Sequence, residues 1–496
     1  MQTTILTSGP LAVFLILGAM HCQAQTPPGA ASQPAAVASS ATTQPAKAYP
    51  HAPLKCVSAF DFKDFLIGGF FYPPIREDNY RDYKAHGFNV MLKAHYDQSY
   101  PHKGGSAGDK YFEAMRESLR TSAKVGLKEI VLTEIHNSTP WGNTMPPGTK
   151  YDDIRDSHYA RLPELKYLHE QIGKEPALTG YLLNDNCGLH DFTLECAKWM
   201  MQNCPGLLRY QSYNPNPPAQ GKHHDLMPIS SCQNYALATQ DQQPGDRDEE
   251  SSKLVVMGNL EGERLNANEY DMAFWPLVGS WGKESPAQIR FQVYTSIAYG
   301  AQGLFYFPYP NPGPALDEAK LCNDYLNRII GPSVLGHRCI GVYHTGGGRI
   351  RGHWFGYGMP YGAMMPRDGQ LVEFMSPFLM AGVLVDERDF VKGDNTADFV
   401  MVVDKRTVNP DPRAGTKGHY FKNGPDLREV EIIFGPAVKK VEILGPNDSQ
   451  VVELGKDPGP AENTTFIDVT RPREKPTRTV KLKLLPGEGS LLKINP

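Results

Sequence analysis

Several carboxylates in this sequence keep company with amides and aromatic rings. The run Asn184-Asp185-Asn186 sets one carboxylate between two amides, while Glu261 and Glu263 stand two residues apart. Glu134 and His136 flank a single isoleucine, and His95, Tyr96 and Asp97 are consecutive. Rings recur nearby in the chain at Trp141, Tyr213, Tyr235, Trp275, Trp281 and Tyr309. A carboxylic acid can protonate a leaving oxygen while an ionised partner attacks or stabilises the carbon left behind. Amides hydrogen-bond hydroxyl groups, and aromatic faces stack on the apolar C–H side of a sugar ring. Arginine and lysine, which phosphorylated or anionic substrates would call for, are scarce in this set. The set therefore points to a neutral carbohydrate. Taken singly, each residue also has an ordinary structural use, as a backbone partner or as local core.

Such residues act together only if secondary structure brings them to one place. From about Val57 to Gly336, short β-rich runs alternate with amphipathic helical stretches, the pattern of a parallel α/β fold. The spacing predicts strands at 65–72, 88–96, 128–135, 177–184, 207–213, 226–232, 253–260 and 303–309. Helices are predicted at 79–86, 110–125, 162–172, 191–203, 285–300 and 316–330. The helix after strand seven is the best marked: Ser285 and Gln288 form a capping box, Pro286 suits the first turn, and Gly300 ends it. This is the size and order of a (β/α)8 TIM barrel, in which functional residues gather at the C-terminal strand ends. An open doubly wound sheet is the alternative, although no GxGxxG or Walker sequence marks a nucleotide site. After Cys339 the helical period gives way to short alternating runs at 398–406, 428–434, 439–444, 479–485 and 490–494. Separated by Gly, Pro and Asn-Asp turns, they predict an antiparallel β-sandwich, read first as a stabilising appendage and second as a sugar-binding module.

On this plan strand two ends in Asp97, strand three in Glu134 and His136, and strand four in Asn184, Asp185 and Asn186. Strands five, six and eight offer Tyr213, Tyr235 and Tyr309, and strand seven offers Glu261 with Glu263 behind it. Loops after strands three and seven add Trp141, Trp275 and Trp281.

These segments carry a resemblance. ALTGYLLNDNCG (177–188) resembles the fourth-strand segment of TIM-barrel glycoside hydrolases of the large retaining clan, where a Tyr-containing strand ends in Asn-Glu-Pro or Asp-Glu-Pro and that Glu is the acid/base. SPAQIRFQVYTSIAYGAQGLFYFPY (285–309) resembles the seventh helix and eighth strand of β-galactosidase-like members. SPFLMAGV (376–383) through LLPGEGSLLKI (484–494) resembles the sandwich behind such barrels. The likeness runs from about residue 57 to the end and implies a nucleophile ending strand seven, at Glu261 with Glu263 as the fallback. Two registers are open for the acid. Anchored on Cys187-Gly188, Asn186 falls on the acid's position and the acid is lost or relocated. With Asn184-Asp185 matched to Asn-Glu, Asp185 is the acid on a shorter side chain, Asn184 holds the 2-hydroxyl, and Glu134 is a third carboxylate in reserve. The spacing matters, because a retaining pair sits about 5–5.5 Å apart and an inverting pair about 6.5–9.5 Å. The expectation is a hydrolase of neutral poly- or oligosaccharides working through Asp185 and Glu261, with no cofactor. One alternative is a carbohydrate-binding barrel that has lost its acid/base. Another is a metal-dependent hydrolase using His95, His136 and the cluster His223-His224-Asp225, which precedes strand six at the wrong end of the barrel.

Composition sets the frame. The chain has 496 residues, 40% hydrophobic and 21% charged, with a net charge of −4 and no basic run to suggest a nucleic-acid partner. LAVFLILGAM (11–20) is too short to span a bilayer and reads as the core of a secretory leader cleaved after Ala24, although MQTTILTSGP before it lacks Lys or Arg. The expectation is export to the periplasm or the exterior, without an integral membrane segment after cleavage. Residues 25–56, rich in Ala, Pro, Gln, Ser and Thr, read as a linker too polar to form a core, the barrel as 57–337 and the sandwich as 338–496. No CxxC pair supports a zinc ribbon, and most cysteines read as core residues. A disulfide from Cys56 to Cys322 or Cys339 would tie the start of the barrel to its end.

Overall fold

The structure is a computed structural model. It describes residues 64–71, 73–93, 108–133, 162–185, 191–212, 221–237, 249–281, 284–344, 371–374, 378–407, 427–435, 437–446, 449–454 and 478–495. The proposed leader and linker, and Cys56 with them, lie outside these residues.

Eight parallel staves make a nearly closed barrel. Five are single strands: β1 (Leu66–Phe70), β2 (Val90–Lys93), β3 (Lys128–Leu132), β4 (Leu178–Asp185) and β5 (Leu208–Ser212). The sixth is split into β6 (Ile229–Ser230) and β7 (Gln233–Asn234), the seventh into β8 (Ala273–Phe274) and β9 (Leu277–Gly279), and the eighth is β10 (Gly303–Phe307). The ladder runs β5-β4-β3-β2-β1-β10-β9-β7, with β6 on β8. Between β5 and the sixth stave, side chains bridge the seam: the Tyr210 and Ser231 hydroxyls are 2.9 Å apart, and Gln233 Nε2 donates to Ser212 Oγ at 2.9 Å. The lumen is filled, as apolar burial requires. Leu66, Val90, Ile130, Leu182 and Leu277 point inward with Tyr210, Trp275 and Phe305, whose ring centroids lie 5.4–5.9 Å apart.

Around the barrel run α1 (Glu77–Ala85), α2 (Gly108–Val125), α3 (Leu162–Ile172), α4 (Asp191–Asn203), α5 (Glu249–Glu269), α6 (Pro286–Ala298) and α7 (Pro314–Tyr325). The α5 helix corrects the sequence reading. The run 253–260, expected as strand seven, is helical, and the seventh stave is the segment 273–279 that follows. The expected capping box is formed: Ser285 Oγ accepts from Gln288 N, and Gln288 Oε1 accepts from Ser285 N.

The C-terminal sheets are antiparallel. One has the order β11 (His337–His344), β13 (Leu379–Asp386), β14 (Phe399–Asp404), β19 (Gly489–Ile494), β16 (Lys440–Leu444), β17 (Ser449–Glu453). The other is β12 (Leu371–Phe374), β15 (Arg428–Phe434), β18 (Thr479–Leu484). Val400, Val402, Val430, Ile432, Val480 and Leu492 fill the space between them. The larger sheet lies flush on α6. A Cβ at Gly382 would sit 1.7 Å from Ala298 O, and one at Gly487, whose φ is +74°, would sit 2.1 Å from Ala287 O. Only glycine permits that approach. Cys322 and Cys339 are free and buried, so neither makes the disulfide expected with Cys56. Among the described residues no helix is long and apolar enough to cross a membrane.

Candidate functional site at the barrel mouth

Alternation along a strand decides which rings reach the mouth. In β10, Leu304 and Tyr306 face the helices, and the Tyr306 hydroxyl donates to Asn323 Oδ1 of α7 at 3.0 Å. Phe305 and Phe307 therefore face the lumen, with Phe307 at its C-terminal rim. Three other staves bring rings to the same rim. Phe71 follows β1, Tyr235 follows β7 and Trp281 follows β9. Phe71, Tyr235 and Phe307 rest half-buried on the lumen core. Tyr235 stacks on Phe307 at 5.0 Å with 23° between planes, and Trp281 meets both edge-on at 5.2 and 5.3 Å. Phe71 meets Phe307 edge-on at 5.2 Å.

The end of the seventh stave is fixed from three sides. The Gln292 side chain of α6 accepts from Gly279 N and donates to Gly279 O, both at 3.0 Å. Ser280 Oγ donates to Pro308 O at 2.5 Å, and Ser280 N to Phe307 O at 2.9 Å. Glu284, buried just ahead of the α6 cap, accepts from Trp281 N through Oε1 at 3.1 Å. The backbone that carries the Trp281 indole is thus held by a carboxylate. Ser212, which ends β5, and Gln233, which opens β7, are buried and bonded to one another.

The structure treats the expected site residues unequally. Tyr235 and Trp281 stand at the mouth. Asn184 and Asp185 close β4, so their main chain reaches the C-terminal face. Asp97, Glu134, His136, Trp141, Asn186 and Tyr213, together with His95, lie outside the described residues. Glu261 is a correction: it lies on α5, in the helical layer, and is bound by Arg264, with Nε to Oε2 at 2.9 Å and Nη2 to Oε1 at 2.7 Å. Arg264 also donates to Cys339 O at 3.1 Å, so the pair ties α5 to the sandwich and does not face the lumen. The fallback Glu263 is buried on the same helix and accepts a short hydrogen bond from Ser230. Trp275 is lumen core, 3% exposed, and shapes no groove. Tyr309 packs on Tyr83 and Phe88 of the outer layer at 5.0 and 5.2 Å, and burial pushes its phenol up. His224 pairs with Asp225 at 3.2 Å ahead of β6, and among the described residues no group of three metal-binding side chains occurs.

Phe71 and Phe307 were not foreseen. The period-2 alternation of GLFYF would have placed Phe307 once its register was fixed by Phe305. Phe71 carries a different mark, since its φ is +66°, and nothing in the residue type announces that.

No family model and no curated protein matches this sequence. Among solved structures, one described as a glycoside hydrolase aligns over 87% of this chain and 92% of its own, at 12% identity and a TM-score of 0.48. The protein AmyP in complex with maltose aligns over 89% and 98%, at 10% identity and a TM-score of 0.49. An endoglucanase of Pseudomonas stutzeri aligns over 51% and 92%, at 11% identity and a TM-score of 0.35. Similarity at these levels carries no activity over to this chain.

Proposed function

We propose that this chain is a glycoside hydrolase-like protein that binds a neutral oligo- or polysaccharide at the C-terminal mouth of its barrel. One observation carries the reading. Four half-buried rings from four different staves, Phe71, Tyr235, Trp281 and Phe307, meet on top of the lumen core. A partly exposed aromatic patch at the end of a barrel where sites form is suited to stacking on sugar C–H faces. Asp185, at the end of β4, is the carboxylate we assign to any glycosidic chemistry here, as the acid. Glu261 is not its partner, being committed to Arg264. Export, suggested by the apolar run at 11–20, fits a polymeric ligand met outside the cytoplasm.

A second reading, binding without hydrolysis, is favoured by the end of the seventh stave. There the Ser280 hydroxyl is buried and bonded to Pro308 O, and the adjacent Glu284 carboxylate is buried and bonded to Trp281 N. One experiment addresses both readings. The purified protein is titrated against a panel of neutral polysaccharides and oligosaccharides, with reducing ends measured in parallel. We expect binding to at least one member, weakened about tenfold or more by Trp281→Ala or Tyr235→Ala, the order of one lost stacking ring. Release of reducing ends that is abolished by Asp185→Ala supports the hydrolase, and binding without release supports the second reading. Failure of the unaltered protein to bind any member would contradict the proposal.

A further inference from the structure

Phe71 holds a conformation that its side chain disfavours. With φ at +66°, its backbone lies in the left-handed region, which glycine enters freely and a bulky residue rarely does. The neighbouring ladder imposes this: Tyr309 N donates to Phe70 O at 2.8 Å on one side, and Phe71 N donates to Leu92 O at 3.2 Å on the other. If only the turn mattered, glycine would serve at no steric cost, and β1 already uses Gly68 and Gly69. What phenylalanine adds is a ring, turned onto the rim against Phe307 and left half-exposed. Strain of this kind persists where the surroundings enforce it, and it concentrates at binding and catalytic positions.

We propose that Phe71 is a ligand-contacting residue whose ring forms one wall of the saccharide platform, taking the C–H face of a neutral pyranose. This rests on the proposed function above and adds the residue that would set ring orientation within it. Two variants separate the ring's face from its bulk. Phe71→Gly removes the ring and the strain together, whereas Phe71→Leu keeps an apolar cap on the lumen core but offers no aromatic face. Both are compared with the unaltered protein by melting temperature and by titration with whichever panel saccharide the unaltered protein binds. The expected result is at least a fivefold loss of affinity in Phe71→Leu with its melting temperature held within a few degrees. Phe71→Gly is expected to lose as much affinity or more. A purely structural cap predicts the reverse, with affinity retained in Phe71→Leu, and that result would overturn the proposal while leaving the mouth as the binding site. If the unaltered protein binds no saccharide, this inference falls together with the reading beneath it.

Discussion

A carboxylate that is 4% exposed must have its charge answered, and Glu261 shows how. Both of its oxygens accept from Arg264, itself 2% exposed, and the guanidinium continues to a main-chain carbonyl of β11. Removing one member strands the other charge in a low-dielectric layer, a loss of about 3–5 kcal/mol in comparable buried pairs. Glu261→Ala is therefore expected to lower stability in denaturant unfolding by about that amount, while saccharide affinity, read on the folded fraction, stays unchanged. A double replacement of Glu261 and Arg264 by methionine should recover much of the loss, because it removes both charges. A Glu261 variant that folded normally but lost sugar binding would contradict this assignment.

The same helix shows where the sequence was hard to read. The buried face of α5 carries Lys253, Glu261, Glu263 and Arg264 among Val256, Met257 and Leu260. Polar residues on the inner face hide the helical period, and the run Leu254–Met257 then passes for a buried strand. The true seventh stave hid for the opposite reason. Pro276 interrupts AFWPLVG, and a proline argues against a strand interior. Here the proline falls between β8 and β9, where its missing N–H breaks no ladder bond, and its carbonyl accepts from Phe305 N at 3.1 Å. Elements with marked ends or a clean alternation were legible. Helices α3 and α4 occupy the predicted spans, as does β15, and α6 follows its capping signal. Tyr235 was legible as the residue following strand six, and Trp281 only as a loop residue after a strand seven placed too early. Phe71 was not, since a left-handed backbone follows from tertiary contacts and not from residue type.

At the scale of the molecule, barrel and sandwich share one core. Ile289, Val293 and Ile297 of α6 lie in the same apolar cluster as Met380, Leu384, Met401 and Leu491 of the sandwich. This supports the stabilising role expected for the C-terminal sheets. The shared interface also holds an electrostatic cost. Lys405, 2% exposed just after β14, is faced by Lys253 of α5, whose Nζ donates to Lys405 O at 3.2 Å. Burial, and then the charge of Lys253, pushes the Lys405 ammonium down to about 7, with Arg428 adding to the fall and Asp404 opposing it. Unfolded, the same lysine holds its proton to about pH 10.4. Between those values the unfolded chain binds the extra proton, so stability rises with pH, by at most about 1.4 kcal/mol per unit. Below pH 7 both states are protonated and the penalty is present in full. Melting temperature is expected to climb from pH 7 to about 8, before ionisation in the unfolded chain of thiols that burial keeps protonated in the fold, those of Cys196, Cys204, Cys232, Cys322 and Cys339, intervenes, and Lys405→Met should flatten that climb. An unchanged slope in that variant would remove Lys405 as its source.

Saccharide binding at the barrel mouth is tested most directly by a crystal structure of the protein with the saccharide selected by the panel. Density for a sugar ring is expected at the C-terminal end of the barrel, its C–H face against Trp281 or Tyr235 and its hydroxyls towards the ends of β4 and β5. A saccharide seated on the C-terminal sheets, with the barrel mouth empty at saturating ligand, would contradict it.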